Sequence, residues 1–389
     1  MFPDFIGRNN YFSYDYILML NIQAIIFYGL TSIYFYFFKS SPAIRKIQIK
    51  RNDSIFLYLI IIILVILLVF FFYKVGRPPL LEILSGKFSS RNEIITYRTE
   101  AIYSVNSTLS SLVFDILPMF VGAYALLKSS IPKRRTYYEY LIIGSCIFIS
   151  ALTGGKGSIL RIAVALLLAY IISQGEFQAY APRKPILPKW GFLWFSTAFI
   201  PVIFFYNIYY GSEFSAFEQL KLLIYRIIGV YSESLAATVA YAEKYGFLNG
   251  RTLPNLKGVL SHEPIQIGKE MHIFLFGSIR GNAPISTLAE GYINFGWSGF
   301  ILFAFATFVV VILIQEILRS MPRNLFTLSL IVIYSILATR VAQTGLFATV
   351  LSLTYTILFS FLFLMRAMLV SFFRQKPLVG LGKNSQIIN

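Results

Sequence analysis

The sequence predicts an all-α polytopic membrane protein, with about 9–11 transmembrane helices and a large, partly helical outer loop. Three observations carry that prediction. Of the 389 residues, 57% are hydrophobic and 13% are charged, and the mean hydropathy is +0.69. Apolar runs of about twenty residues recur, the length that crosses about 30 Å of hydrocarbon. Lysine and arginine gather in the short loops on alternate sides of those runs, as loops on a cytoplasmic face do.

Taken in order, the apolar runs place spans near 15–38, 55–73, 106–127, 137–153, 157–174, 190–210, 297–318, 325–340 and 346–370. In lipid each of these must be a helix, because no water is present to satisfy an open backbone. No cleavable signal peptide is expected, since the first apolar run is long enough to span. The chain then divides into an N-terminal bundle of about six spans over 1–210, an outer loop over 211–296, C-terminal spans over 297–373 and a tail over 374–389. Basic residues mark the loops that follow every second interval. Lys39, Arg45, Lys46, Lys50 and Arg51 form the first set, then Lys128, Lys133, Arg134 and Arg135, then Arg183, Lys184 and Lys189. Arg319, Arg323, Arg374, Lys376 and Lys383 complete it. The expected C-terminus is therefore cytoplasmic and the N-terminus outside.

Loop 74–105 mixes five basic residues with three glutamates, and loop 211–296 mixes seven Lys/Arg with seven Glu. Balanced charge in a long outer loop reads as a folded or substrate-handling surface. Within it, "SAFEQLKLLIYRIIGVYSESLAATVAYAEKYG" has helical periodicity and predicts an amphipathic helix at the interface. "NGRTLPNLKGVLSHEPIQIG" is rich in Gly, Pro and Asn and predicts loop. The 64 Tyr and Phe residues supply interfacial belts, and a surplus of them would suit stacking against sugar.

Composition also excludes several chemistries. The net charge of +17 follows from the loop pattern, so nucleic acid is not the expected partner. A single cysteine, Cys146, rules out a disulfide within the chain. With His262 and His272 it cannot complete the four ligands of a structural zinc site. The four aspartates (Asp4, Asp15, Asp53 and Asp115) form no D-x-D pair, so no metal and no cofactor are expected.

What remains is a set of cations on the outer side. "ALTGGKGSILRIA" puts Lys156 and, about one turn deeper, Arg161 at the outer end of a helix. Its glycines leave backbone N–H groups open at a helix N-terminus, which suits a phosphate. The other reading is a tight turn whose cations snorkel outward. Arg340, in "ATRVAQTG", ends the eighth span; Arg226, in "LIYRIIGVYSE", interrupts an apolar helix; Arg280 opens "SIRGNAPISTLAEGYINFGWSG". Arginine's fork matches phosphate oxygens in pairs, so a diphosphate is the expected ligand of these five. A base would come from Glu290, only partly buried at a helix mouth beside Gly291, whose missing side chain leaves room for a sugar, or from His272, in a loop. Glu233 and His262 are further candidates for that proton, and Glu233, Gly291 and Tyr231 are supporting residues.

"PISTLAEGYINFGWSGFIL", following a long outer loop with "LTGGKGSILR" upstream, resembles the Wzy-type oligosaccharide repeat-unit polymerases of bacterial O-antigen and capsule synthesis. The spacing of Arg280, ten residues and Gly291 is similar to a motif of outer loops in that family. The resemblance implies a GT-C-like fold in the bacterial inner membrane, related to the O-antigen ligases. It implies a metal-independent glycosyltransferase that moves a growing chain from one undecaprenyl diphosphate carrier to a repeat unit on another. Undecaprenyl-diphosphate-linked oligosaccharides are then donor and acceptor, with membrane lipid, a chain-length regulator and a flippase as further partners. A lipid-linked oligosaccharide flippase, or an O-antigen ligase, is the alternative.

Overall fold

The computed structural model describes residues 53–88, 91–103, 107–131, 137–178, 234–252, 264–277, 285–321 and 323–343, with 215, 218, 283 and scattered positions from 357 to 368. The expected spans 15–38 and 190–210, and most of 346–370, lie outside these residues. Among the described residues there are helices and turns and no strand.

The bundle opens with α1 (Asp53–Val75), an almost wholly apolar helix. Two short helices, α2 (Pro79–Leu84) and α3 (Arg91–Tyr103), follow it. Then α4 (Ser107–Ser111), a π-helical turn (Leu112–Ile116) and α5 (Leu117–Ser129) run on as one rod. Next come α6 (Tyr137–Ala151) and α7 (Lys156–Gln178). Helix α5 is central: it packs on α1, α6, α7 and α11 (Leu325–Gln343). Its side chains from Pro118 to Lys128 are all buried, as expected of a helix enclosed by others. Phe71 of α1 meets Phe114 of the π turn edge to face, with centroids 4.7 Å apart, and Phe120 meets Phe326 of α11 in the same way at 5.3 Å.

Six expected spans are present as helices. Three stretches, Leu57–Val75, Leu109–Ser129 and Thr287–Ser320, are long and apolar enough to cross a membrane, and Tyr137–Ala151, Gly157–Ser173 and Leu325–Ala338 are shorter apolar helices. The outward faces of α1 and α6 carry Ile62, Val69, Leu141 and Phe148, each about half exposed or more, as lipid-facing side chains are.

A second core lies in the expected outer loop. It joins α8 (234–245), α9 (Ile267–Phe276) and the start of α10 (Thr287–Ser320) through Leu235, Val239, Met271, Ile285, Ile293 and Phe300. Ser215 and Glu218 exchange hydrogen bonds in the manner of a helix start: Glu218 Oε2 accepts from Ser215 N at 2.7 Å and from Ser215 Oγ at 2.8 Å. The amphipathic helix expected over 215–246 is thus seen at its beginning and over 234–245; the residues between lie outside the described set.

Helix α10 starts ten residues before the expected span and is broken. Ser286 caps it, its Oγ accepting from Ala289 N at 3.1 Å. At Phe295 and Gly296 the backbone leaves the helix, with φ +65° at Gly296, a value that favours glycine. The chain reverses there. Gly291 lies backbone to backbone on Gly299 and against Phe303, contacts that residues eight and twelve apart on one straight helix cannot make. The segment 287–294 therefore folds back along the first turns of the span.

Candidate functional site

The glycine turn between α6 and α7 gathers the charged groups of the bundle. Gly154 has φ +64°, a left-handed conformation that favours glycine, and Ile83 of α2 packs on it, its Cδ1 2.7 Å from where a Cβ would stand. Leu80 N donates to Leu152 O at 3.0 Å and fixes that docking. From α3, Arg98 reaches the same place: its Cδ is 3.8 Å from the Cβ position of Gly154 and its Nη1 is 3.8 Å from that of Gly155. From α7, Arg161 Nη1 lies 3.2 Å from the Cβ position of Gly157. Two guanidinium groups therefore lie beside the glycine turn that begins α7, where Gly154 N donates to Ala151 O at 2.8 Å and Gly155 N to Thr153 Oγ1 at 3.0 Å.

Arg161 is held from the other side by Asp115 in the π turn. Its Nη2 donates to both carboxylate oxygens at 2.7 Å and to Ser158 Oγ at 3.2 Å. The side chain of Asp115 is 10% exposed and that of Arg161 26%. Arg161 Nε is buried and makes no hydrogen bond among the described residues. Ser150 Oγ donates to Phe114 O at 3.0 Å and ties the π turn to α6. A π turn shifts the side-chain register within a helix, and such turns recur at functional sites.

A polar cluster borders this end. Lys87 Nζ is 2.6 Å and Arg77 Nη1 3.5 Å from the Glu82 carboxylate, which their hydrogen bonds and charge hold below its ordinary value. Burial, helped by the charge of Glu82, pushes the Tyr97 hydroxyl up.

Several expected residues stand differently. Arg161 is neutralised by Asp115 rather than presented as a lone cation. Gly291 does not leave room for a sugar: Gly299 fills that space. Glu290 is not partly exposed at a helix mouth but 1% exposed, inside the second core, with its backbone O accepting from Asn294 Nδ2 at 2.7 Å. His272 is in helix α9 instead of a loop, and is half-buried. Lys156 opens α7 and Arg340 falls in the last turns of α11, but their side chains lie outside the described set. Arg226, Tyr231, Glu233, His262 and Arg280 lie outside it altogether.

Arg161 thus belongs to the bundle, and Glu290, Gly291 and His272 to the second core. Sequence reasoning missed Asp115 and Arg98. Asp115 had a signal, since an aspartate in an apolar span calls for a named partner. Arg98 had none beyond the balanced charge of its loop.

Comparison of the chain with family models, with curated proteins and with solved structures gives no match in any of the three.

Proposed function

We propose that this protein is a membrane glycosyltransferase that polymerises undecaprenyl-diphosphate-linked oligosaccharide repeat units. The observation that carries this reading is the placement of Arg98 beside Gly154 and Gly155 and of Arg161 beside Gly157, at the glycine turn that starts α7. Donors of that kind, fixed before the reaction, suit a diphosphate whose charge grows as it leaves. In the reaction the bond between the donor's anomeric carbon and the carrier phosphate breaks. The acceptor hydroxyl forms the new glycosidic bond, its proton passes to a base, and undecaprenyl diphosphate departs. Arg98 and Arg161 stabilise the leaving charge, and Asp115 anchors the Arg161 guanidinium through Nη2. Of the four candidate bases, Glu233 and His262 lie outside the described residues, and of the other two His272 is the more accessible, because Glu290 is enclosed.

The test is the sugar-chain phenotype of a deletion strain. The proposal expects lipopolysaccharide core bearing a single repeat, restored to long chains by the intact gene and not by Arg161→Ala at equal protein level. Polymer left on the carrier would instead make the protein a ligase, and single repeats trapped inside the cell would make it a flippase.

A further inference from the structure

We infer that the second core is seated on the bilayer surface by an aromatic patch, Tyr245, Phe247 and Phe295, whose occupant is the headgroup–acyl boundary of the membrane that α10 crosses. The patch is solvent-open in the chain alone: Tyr245 is 60% exposed, Phe247 48% and Phe295 40%. It is anchored from behind. Phe247 Cζ stands 3.1 Å from the Cβ position of Gly296, and its ring meets Tyr292 edge to face at 5.9 Å. Tyr292 in turn meets Trp297, and Trp297 meets Phe300.

Two arguments choose lipid over another occupant. The first is continuity. Beyond the reversal at Phe295 and Gly296, α10 presents Ile301, Phe305, Val309 and Leu313 outward at four-residue spacing, one apolar stripe that begins next to the patch. The second is depth. The roughly 24 residues from Trp297 to Ser320 rise about 36 Å. That exceeds about 30 Å of hydrocarbon and stays within the 40–45 Å or so that includes both headgroup layers. With Arg319 at one boundary, the tip at Phe295 falls at the other, where aromatic rings concentrate. Lys244 completes the pattern. Its Nζ lies 5.0 Å from the Tyr245 ring centroid and 6.0 Å from that of Phe274, beside the patch, where lipid phosphates would be.

This inference is independent of the reaction proposed above. The test uses the full chain with Cys146→Ser, reconstituted in vesicles of phosphatidylcholine with a minority of phosphatidylglycerol. Nitroxides are placed by Tyr245→Cys, Phe247→Cys and Phe295→Cys, with Glu243→Cys as a control, because residue 243 is exposed and two positions from 245 on α8. The expected result is a several-fold preference for collision with oxygen over an aqueous nickel chelate at 245, 247 and 295, reversed at 243. Preference for the chelate at all four positions overturns the inference. So does a patch that is open to the chelate and becomes shielded only when oligosaccharide is added, which would make it a sugar platform. If the cysteine variants misfold, Phe247→Trp keeps a ring on Gly296. Quenching by lipids brominated near the headgroup that exceeds the quenching of the parent's Trp190, Trp194 and Trp297 supports the seating, and quenching no greater than the parent's overturns it.

Discussion

Gly291 and Gly299 meet through their backbones, and that contact decides whether the chain can reverse before the span. A methyl at Gly291 would stand 2.8 Å from Phe303 Cβ and closer still to the Gly299 carbonyl. Gly291→Ala is expected to cost about 1–3 kcal/mol or more, as overpacking does. Gly144, on the exposed side of α6, has open space at its Cβ position. Gly144→Ala is therefore expected to be neutral or to stabilise by up to about 1 kcal/mol through helix propensity. Unfolding of the two variants in the same detergent checks both signs. At Asn294 the reversal is tied to the 248–252 turn. Its Nδ2 donates to Thr252 Oγ1 at 2.7 Å and its Oδ1 accepts from Gly250 N at 3.0 Å. Glu82 supplies a pH dependence. Its carboxyl is held below the ordinary 4.5 chiefly by Lys87, so its contribution is complete above that value and lost as pH falls through the depressed one. Thermal midpoints taken from neutral pH down to acid should fall more in the parent than in Glu82→Gln. The roles of Gly291 and Asn294 were not legible in the sequence, and Asp115 in an apolar span signalled only that some partner was needed, not that it was Arg161. Each depends on a partner that is distant along the chain or lies across a reversal that periodicity does not reveal.

At the scale of elements, the six apolar runs within the described residues all form helices, because length and hydropathy alone force that outcome in lipid. What periodicity could not show is where a helix breaks. Phe295 and Gly296 fall where the expected outer loop (211–296) meets the expected span (297–318), and only the packing of Gly291 on Gly299 reveals that a helix precedes the break and folds back on the span. Helix α9 was hidden for a different reason. It has ten residues between glycine- and proline-rich stretches, and its helicity rests on burying Ile267 and Met271 in the second core. The pairing of α7 with the π turn is open to a direct test. Asp115→Asn or Arg161→Ala leaves a charge largely buried without its partner, a loss of roughly 3 kcal/mol. Exchanging the two residues, Asp115→Arg with Arg161→Asp, is expected to recover most of that stability without recovering sugar transfer, since the cation no longer faces the glycine turn. Recovery of both would make the pair a structural bridge and remove Arg161 from the donor site. At the other end of α5, Lys128 Nζ and Glu139 Oε1 are 3.1 Å apart and both largely buried, and they join α5 to α6 across a basic connection. Glu139→Gln should destabilise the bundle while leaving transfer per folded molecule unchanged.

For the molecule as a whole, the described residues form a helical bundle with apolar outer faces and a second core at the head of α10. The alternation of basic loops, which predicts the orientation, belongs to the sequence. The cradle of Arg98, Arg161 and the glycine turn belongs to the fold, because α3 brings Arg98 to α7 from more than fifty positions away. The central claim is that this cradle holds the diphosphate of a lipid-linked sugar chain during polymerisation. The most direct measurement is extension of a purified undecaprenyl-diphosphate-linked repeat unit by the reconstituted protein, resolved as a ladder of chain lengths. The account predicts a ladder with the parent chain and a rate lower by about 10²–10³ for Arg161→Ala or Arg98→Ala, the scale of one lost oxyanion donor. An undiminished ladder from both variants, or no product longer than one repeat from the parent chain, would contradict it.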